Sequence, residues 1–274
     1  MVPATEFAVE TTRLCRQFGE LRAVDDLDLR IERGTLYGFL GRNGAGKSTT
    51  LKMLTGLLAP TAGSIRLLGK NPLEPAEATD VKRRIGVVPE DLALYDLLTG
   101  RENLTFVARM YRIPKELAQE RIDELFALLE LGRDASEEKR LVIDYSHGMK
   151  KKLALAAALL ANPVLLFLDE PFEGVDAVTS RVIRDLLTRA ADQGVTIFIT
   201  SHVLEIVERL CTHVGIIDQG RLVVQAPLAE LRQTASLEET FLSKVGSTED
   251  VQAHLSWLDE RDEPESDGGN RDRT

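Results

Sequence analysis

Apolar positions follow two alternating periodicities along the chain, and together they predict an α/β fold. Residues 35–40, 85–88, 164–168 and 195–200 are short runs, apolar at nearly every position. Runs of that length without polar alternation predict strands covered on both faces, as in a parallel sheet. Residues 7–14 and 21–31 predict two strands around a turn at 16–20. The second sets Leu27, Leu29 and Ile31 against Asp28, Arg30 and Glu32, the period of two expected of a half-buried strand. A short strand is expected at 65–68 after a turn at 61–64, and a hairpin around Gly220 from 214–218 and 222–225. The proline-containing segment 70–79 predicts a loop.

Between these runs the period changes to that of a helix. Residues 50–55, 150–161 and 177–192 have helical spacing, and short helices are expected at 227–233 and 237–242. Residues 97–131 predict a helix pair. Thr99 and Glu102 make a capping box ahead of Leu104, Phe106 and Val107. Pro114 opens the second helix, whose face carries Ile122, Leu125, Phe126 and Leu129, and Gly132 stops it. The pair reads as a helical insertion between core strands, followed by a charged linker at 133–140.

Length, charge and cysteine content narrow the function. A chain of 274 residues, 43% of them hydrophobic, predicts one large domain or a domain with a subdomain. No run reaches the ~20 uncharged apolar residues of a membrane helix, and residues 1–12 lack the blocks of a signal peptide. A cytosolic protein is expected, with any membrane role exercised through a partner. The net charge of −10 argues against a nucleic-acid-coating protein. Cys15 and Cys211 are expected to be buried reduced thiols. Residues 259–274, polar and acidic, are expected to be disordered, and His254 and Trp257 are assigned to packing.

The chemistry centres on Gly41-Arg42-Asn43-Gly44-Ala45-Gly46-Lys47-Ser48-Thr49, which fits the phosphate-loop pattern between a strand and a helix. Its glycines let the backbone N–H groups turn inward beside a helix start, where a polyanion is favoured. Lys47 supplies a charge for the β and γ phosphates, and the Ser48 hydroxyl is positioned to hold Mg²⁺. Asp169 and Glu170 end an apolar strand, where adjacent carboxylates are costly without a cation. Asp169 therefore suits the Mg²⁺ shell and Glu170 the base that activates water. Glu90 and His202 also follow strand ends, where ligand sites of α/β sheets form. Phe18 at the turn tip suits either the core or a planar base. Ser146 is expected to cap a helix whose first turn carries Lys150, Lys151 and Lys152. That placement opposes the helix dipole and asks for an acceptor such as a phosphate or an acidic surface, although a solvated face also suits it.

These segments, in this order, resemble the ATP-binding subunit of ABC transporters over roughly residues 7–242. The resemblance rests on Phe18 at the aromatic turn, the Walker A stretch 41–49 and Glu90 at the Q-loop position. It continues through the signature 145–149, the Walker B run ending at Asp169, Glu170, the D-loop 174–176 and the switch histidine His202. It implies a P-loop NTPase core with a small antiparallel β subdomain and an inserted helical subdomain at about 91–161, then a C-terminal extension at 243–274. It further implies ATP as substrate, with Mg²⁺ held by Ser48, Asp169 and Glu90. Nucleotide contacts would come from Phe18, Gly41, Asn43, Gly44, Ala45, Gly46, Lys47, Ser48 and Thr49, and from Ser146 and Gly148 across a dimer; Lys47, Glu170 and His202 would serve catalysis. The expected partners are a polytopic membrane permease and a second ATP-binding subunit, at the cytoplasmic face of the membrane and without nucleic acid. Residues 92–111 would receive the permease. Two features depart from the family pattern. Glu90 replaces Gln, as in ATPases paired with ABC-2-type exporter permeases, and Tyr145, His147 and Met149 alter the signature. The alternative is a soluble ABC-type ATPase acting on ribosomes or DNA.

Overall fold

The computed structural model describes residues 6–132 and 139–245. Four apolar runs form the centre of a six-stranded sheet as β4 (Leu36–Leu40), β6 (Ile85–Val88), β7 (Leu165–Asp169) and β8 (Thr196–Ser201). With β9 (His213–Asp218) and β10 (Arg221–Pro227), the order is β10-β9-β4-β8-β7-β6. Only the β9–β10 pair is antiparallel. Every residue of β4, β7 and β8 is buried, as continuous apolar runs require of strands packed on both faces. Phe198 gathers the rings of Tyr37, Phe39 and Phe167 on one face, with centroids 5.3–5.7 Å away. The register pairs Leu40 with Ser201 and Asp169 with Thr200, so three strand ends open at one edge.

A second, antiparallel sheet is built on β1 (Phe7–Phe18), which pairs with β2 (Leu21–Leu27), β3 (Arg30–Glu32) and β5 (Ala62–Leu67). The expected first strand is longer than predicted: it runs through Phe18 and leaves only Gly19 and Glu20 for the turn. The expected single strand at 21–31 is two strands. Asp26 has φ 54°, and the Asp28 carboxylate accepts from the Arg13 N–H at 2.6 Å. The Thr11 hydroxyl donates to Leu27 O at 2.7 Å and accepts from Leu29 N–H at 2.8 Å. These side chains satisfy the backbone at the break, so the ladder can shift from one half of β1 to the other.

Helices flank the parallel sheet: α1 (Lys47–Leu54), α2 (Pro75–Arg84), α3 (Gly100–Met110), α4 (Lys115–Leu128), α5 (His147–Leu160), α6 (Ala177–Asp192), α7 (Leu204–Leu210), α8 (Leu228–Leu231) and α9 (Leu237–Val245). The segment expected to be a loop at 70–79 enters α2. Pro75 occupies the first turn, where its missing N–H costs nothing, and Lys82, Arg83 and Arg84 oppose the negative C-terminal end. The capping box of α3 forms as expected. Pro114 is the cap residue of α4 rather than its first helical residue, and the reversal begins at Glu130, φ 51°, ahead of Gly132. The segment from α3 to α5 sits between β6 and β7 in sequence, and Leu104, Phe126, Val142 and Leu153 join one buried cluster. At the other end, α9 carries the fold through the buried Val245.

No described helix is long and apolar enough to cross a membrane. Both cysteines are free; Cys211 is buried as expected, but Cys15 is only partly buried, its sulfur accepting from Asp26 N–H at 3.3 Å. Most of the 133–140 linker, the 259–274 tail, His254 and Trp257 lie outside the described residues.

Candidate functional site

The loop between β4 and α1 is held open by backbone that approaches it from two sides. A Cβ at Gly46 would lie 2.5 Å from Ala23 O, and one at Gly41 would lie 2.6 Å from Ile217 O. Gly46 also has φ 108°, so it turns the chain into α1 without a side-chain cap. The turn leaves first-turn N–H groups of α1 facing the loop. The hairpin tip braces the far side, with Gly220 N–H donating to Ala45 O at 2.9 Å.

Lys47 and Ser48 begin α1 and reach the ends of β7 and β8. The Lys47 ammonium, 6% exposed, donates to Gly41 O at 2.9 Å and lies 3.3 Å from Glu170 Oε1. Ser48 Oγ donates to Asp169 Oδ1 at 3.2 Å. Thr200 joins the two carboxylate residues: its hydroxyl donates to Asp169 Oδ1 and accepts from Glu170 N–H. Glu170 Oε2 lies 3.1 Å from His202 Nδ1. Glu170 itself has φ 47°, a backbone region unusual for a residue with a side chain and maintained only where its surroundings enforce it.

One open cavity of about 510 Å³ is lined by Phe18, Asn43, Gly44, Gly46, Lys47, Ser48, Thr49, Glu90, Glu170 and His202, all expected from the sequence. Asp169 joins through Ser48, while Gly41 and Ala45 shape the loop from behind. Phe18 is 45% exposed, and the Arg16 guanidinium lies 4.4 Å from its ring centroid. It therefore stands at the cavity mouth rather than in the core. Leu21, Ala23 and Glu173 also line the cavity but carried no motif. Thr200 was missed as well, although a hydroxyl beside Ser201-His202 at an apolar strand's end was a signal for it.

Ser146 and Gly148 are not among the lining residues. Ser146 is exposed and accepts from Met149 N–H at 3.2 Å, capping α5 as expected. Gly148 is packed where a Cβ would meet Thr179 Oγ1 at 3.1 Å, and Asp176 caps α6 through Val178 and Thr179. Lys150 and Lys151, at the start of α5, find acceptors within the chain. Lys150 Nζ lies 3.4 Å from Asp96 Oδ1, and Lys151 is buried and donates to Glu170 O.

Residues 24–173 match the family described as ABC transporter. The chain is 42% identical over 226 residues to the bacitracin transport ATP-binding protein BcrA of Bacillus licheniformis, covering 82% of this chain and 71% of that one. It is 38% identical over 224 residues to the Nod factor export ATP-binding protein I of Cupriavidus pinatubonensis, covering 82% and 67%. Its fold is similar, with a TM-score of 0.72 and 25% identity over 80% of this chain and 98% of the other, to a dimeric post-hydrolysis state of the ATP-binding cassette MJ0796 bound to ADP and Pi.

Proposed function

The chain belongs to the ABC transporter family as an ATP-hydrolysing subunit that energises a transporter, and we propose how its residues divide that work. The carrying observation is the continuous link from the phosphate loop through Lys47 to Glu170 and His202, beside Ser48 and Asp169. In the resting site Lys47 neutralises Glu170. An incoming triphosphate competes for that ammonium, so binding releases the carboxylate to accept a proton from the attacking water. His202 holds the other carboxylate oxygen and fixes the direction of the freed one. The loop amides and the N-terminal end of α1 receive phosphate charge. Phe18 offers a ring face to the base.

The oxygen-only set of Ser48, Asp169 and Glu90 suits Mg²⁺. Among the described residues no cluster of three or more His, Cys, Asp or Glu forms a cage. A cation that keeps few protein ligands and is completed by phosphate and water fits such a site. Bound there, Mg²⁺ would offset charge on the transferring phosphoryl group.

Ser146 is exposed and does not line its own chain's cavity, so we assign its hydroxyl to the nucleotide of a second ATP-binding subunit. ATP then holds the pair closed until hydrolysis releases it. We assign residues 1–242 to the ATP-binding unit, with its helical insertion at 91–161 docking a polytopic permease at the cytoplasmic face of the membrane, and 243–274 to an extension. Export is the favoured direction, in keeping with the Nod factor relative's name. The test is Mg-ATP turnover by the subunit with its permease. Turnover should require Mg²⁺, and Glu170→Gln with ATP should elute as a dimer. Absence of both from the assembled complex refutes the assignment.

A further inference from the structure

Lys151 is one of three lysines in the first turn of α5, and no role in the chemistry above needs it. Its side chain is nevertheless 3% exposed, against a half-buried Lys150. A buried ammonium is costly unless its donors are engaged and its charge is balanced. The catalytic strand end supplies an acceptor and several carboxylates. Its Nζ donates to the backbone carbonyl of Glu170. That carbonyl belongs to the residue with φ 47°, the one candidate catalytic group outside the ordinary backbone regions. A donor fixed on the carbonyl opposes relaxation of the peptide, and the side-chain direction of Glu170 follows from its backbone.

The geometry points to Lys151 as a positioning residue that holds the Glu170 backbone in its strained conformation and couples it to the start of α5, the helix that carries Ser146 and Gly148. Burial lowers the Lys151 pKa, and the carboxylates of Glu173, Glu170, Glu90 and Asp169 offset only part of that depression. Lys151 itself donates to no phosphate-loop residue, and its substitution leaves the Glu170 charge in place, so the effect falls mainly on the hydrolytic step. The inference rests on the proposed dimer in one respect. There Ser146 and Gly148 serve the partner's nucleotide while Glu170 serves its own, so Lys151 links the two sites: a displacement of α5 by the partner's phosphate reaches Glu170 through one side chain.

The test compares the wild type with Lys151→Met, Lys151→Gln and Lys151→Arg in the permease-bound complex. ATP affinity is read by fluorescent-nucleotide displacement, and kcat and KM by phosphate release. Lys151→Met should lower kcat at least tenfold without loss of ATP affinity. Lys151→Arg, which keeps a charged donor, should recover most of the rate, and Lys151→Gln should fall between. Should the Met variant fail to fold, the Arg and Gln pair carries the same comparison. Wild-type kcat in Lys151→Met, or in Lys151→Gln, overturns the inference. So does a parallel loss of affinity, kcat and thermal midpoint that Arg does not restore, since that is a packing defect. A wild-type complex without Mg-ATP turnover would instead refute the functional assignment, which separates the two failures.

Discussion

Glu170→Gln tests the central contact of the site because it removes charge and keeps shape. At 3.3 Å, Lys47 and Glu170 attract by about 5 kcal/mol at an effective dielectric of about 20. Desolvation of two buried ions offsets most of that. A net of about 1.4 kcal/mol, or about tenfold in affinity, is what a triphosphate overcomes to recruit Lys47. Removing the carboxylate charge also removes its repulsion of the γ-phosphate. Glu170→Gln is therefore expected to bind ATP about tenfold more tightly, while losing the general base lowers kcat by about 10²–10⁴. Calorimetric titration without Mg²⁺ measures the first effect, and single-turnover hydrolysis with Mg²⁺ the second. Native turnover removes Glu170 from the base role. Unchanged or weaker ATP binding shows that the resting pair does not compete with nucleotide.

Other outcomes follow from the same geometry. Lys47→Ala should abolish ATP binding in displacement assays, and retention of both binding and turnover contradicts the phosphate assignment. Gly38→Ala places a Cβ 2.3 Å from Val207 Cγ1 and 3.1 Å from Cys211 Sγ, so overpacking between β4 and α7 should cost about 1–3 kcal/mol by urea denaturation. Burial pushes the Cys211 thiol up to about 12, so at pH 8 a thiol reagent should label Cys15 in the native protein and reach Cys211 only on unfolding. The backbone N–H of Thr179, followed by its hydroxyl, holds Asp176 below the usual carboxylate range. The stability Asp176 contributes is then complete above about pH 4 and is lost as the pH falls through the lowered value. Acid unfolding of Asp176→Asn should lack that component, and coincident acid curves would refute it.

The strand ends and the phosphate loop were legible because their signals are local. Continuous apolar runs identify buried strands, and glycines with Lys47-Ser48 identify the turn that follows one of them. Position at strand ends, taken together with the phosphate loop, pointed to Asp169, Glu170 and His202 as neighbours of that loop. The helix α2 was not read, because Pro72 and Pro75 look like loop punctuation until Pro75 is seen to sit in a helical first turn. The split of β2 from β3 depends on Thr11 and Asp28 satisfying backbone from another strand, a long-range exchange with no periodic trace. Thr200 and the acceptor of Lys151 escaped for the same reason. One gains its meaning from the register of β7 against β8, the other from the packing of α5 on a strand end 19 residues away.

The charges at the site explain why these residues act as a set. The Glu90, Asp169, Glu170 and Glu173 carboxylates gather around the Lys47 and Lys151 ammoniums, and both lysines are buried. Those four carboxylates outnumber the two ammoniums before any ligand arrives. A triphosphate deepens that imbalance, and Lys47 can serve only one partner fully: its move to the phosphates leaves Glu170 with His202 at the side chain and Lys151 at the carbonyl. Ser48 and Asp169 would hold a divalent cation beside the nucleotide, and its charge would restore the balance, so that on the proposed roles phosphate capture and release of the Glu170 carboxylate become a single exchange. On the proposed roles the same exchange makes free nucleotide bind more weakly without a cation than with one, and the resting pair would keep Glu170 from acting on water until a phosphate has taken its lysine.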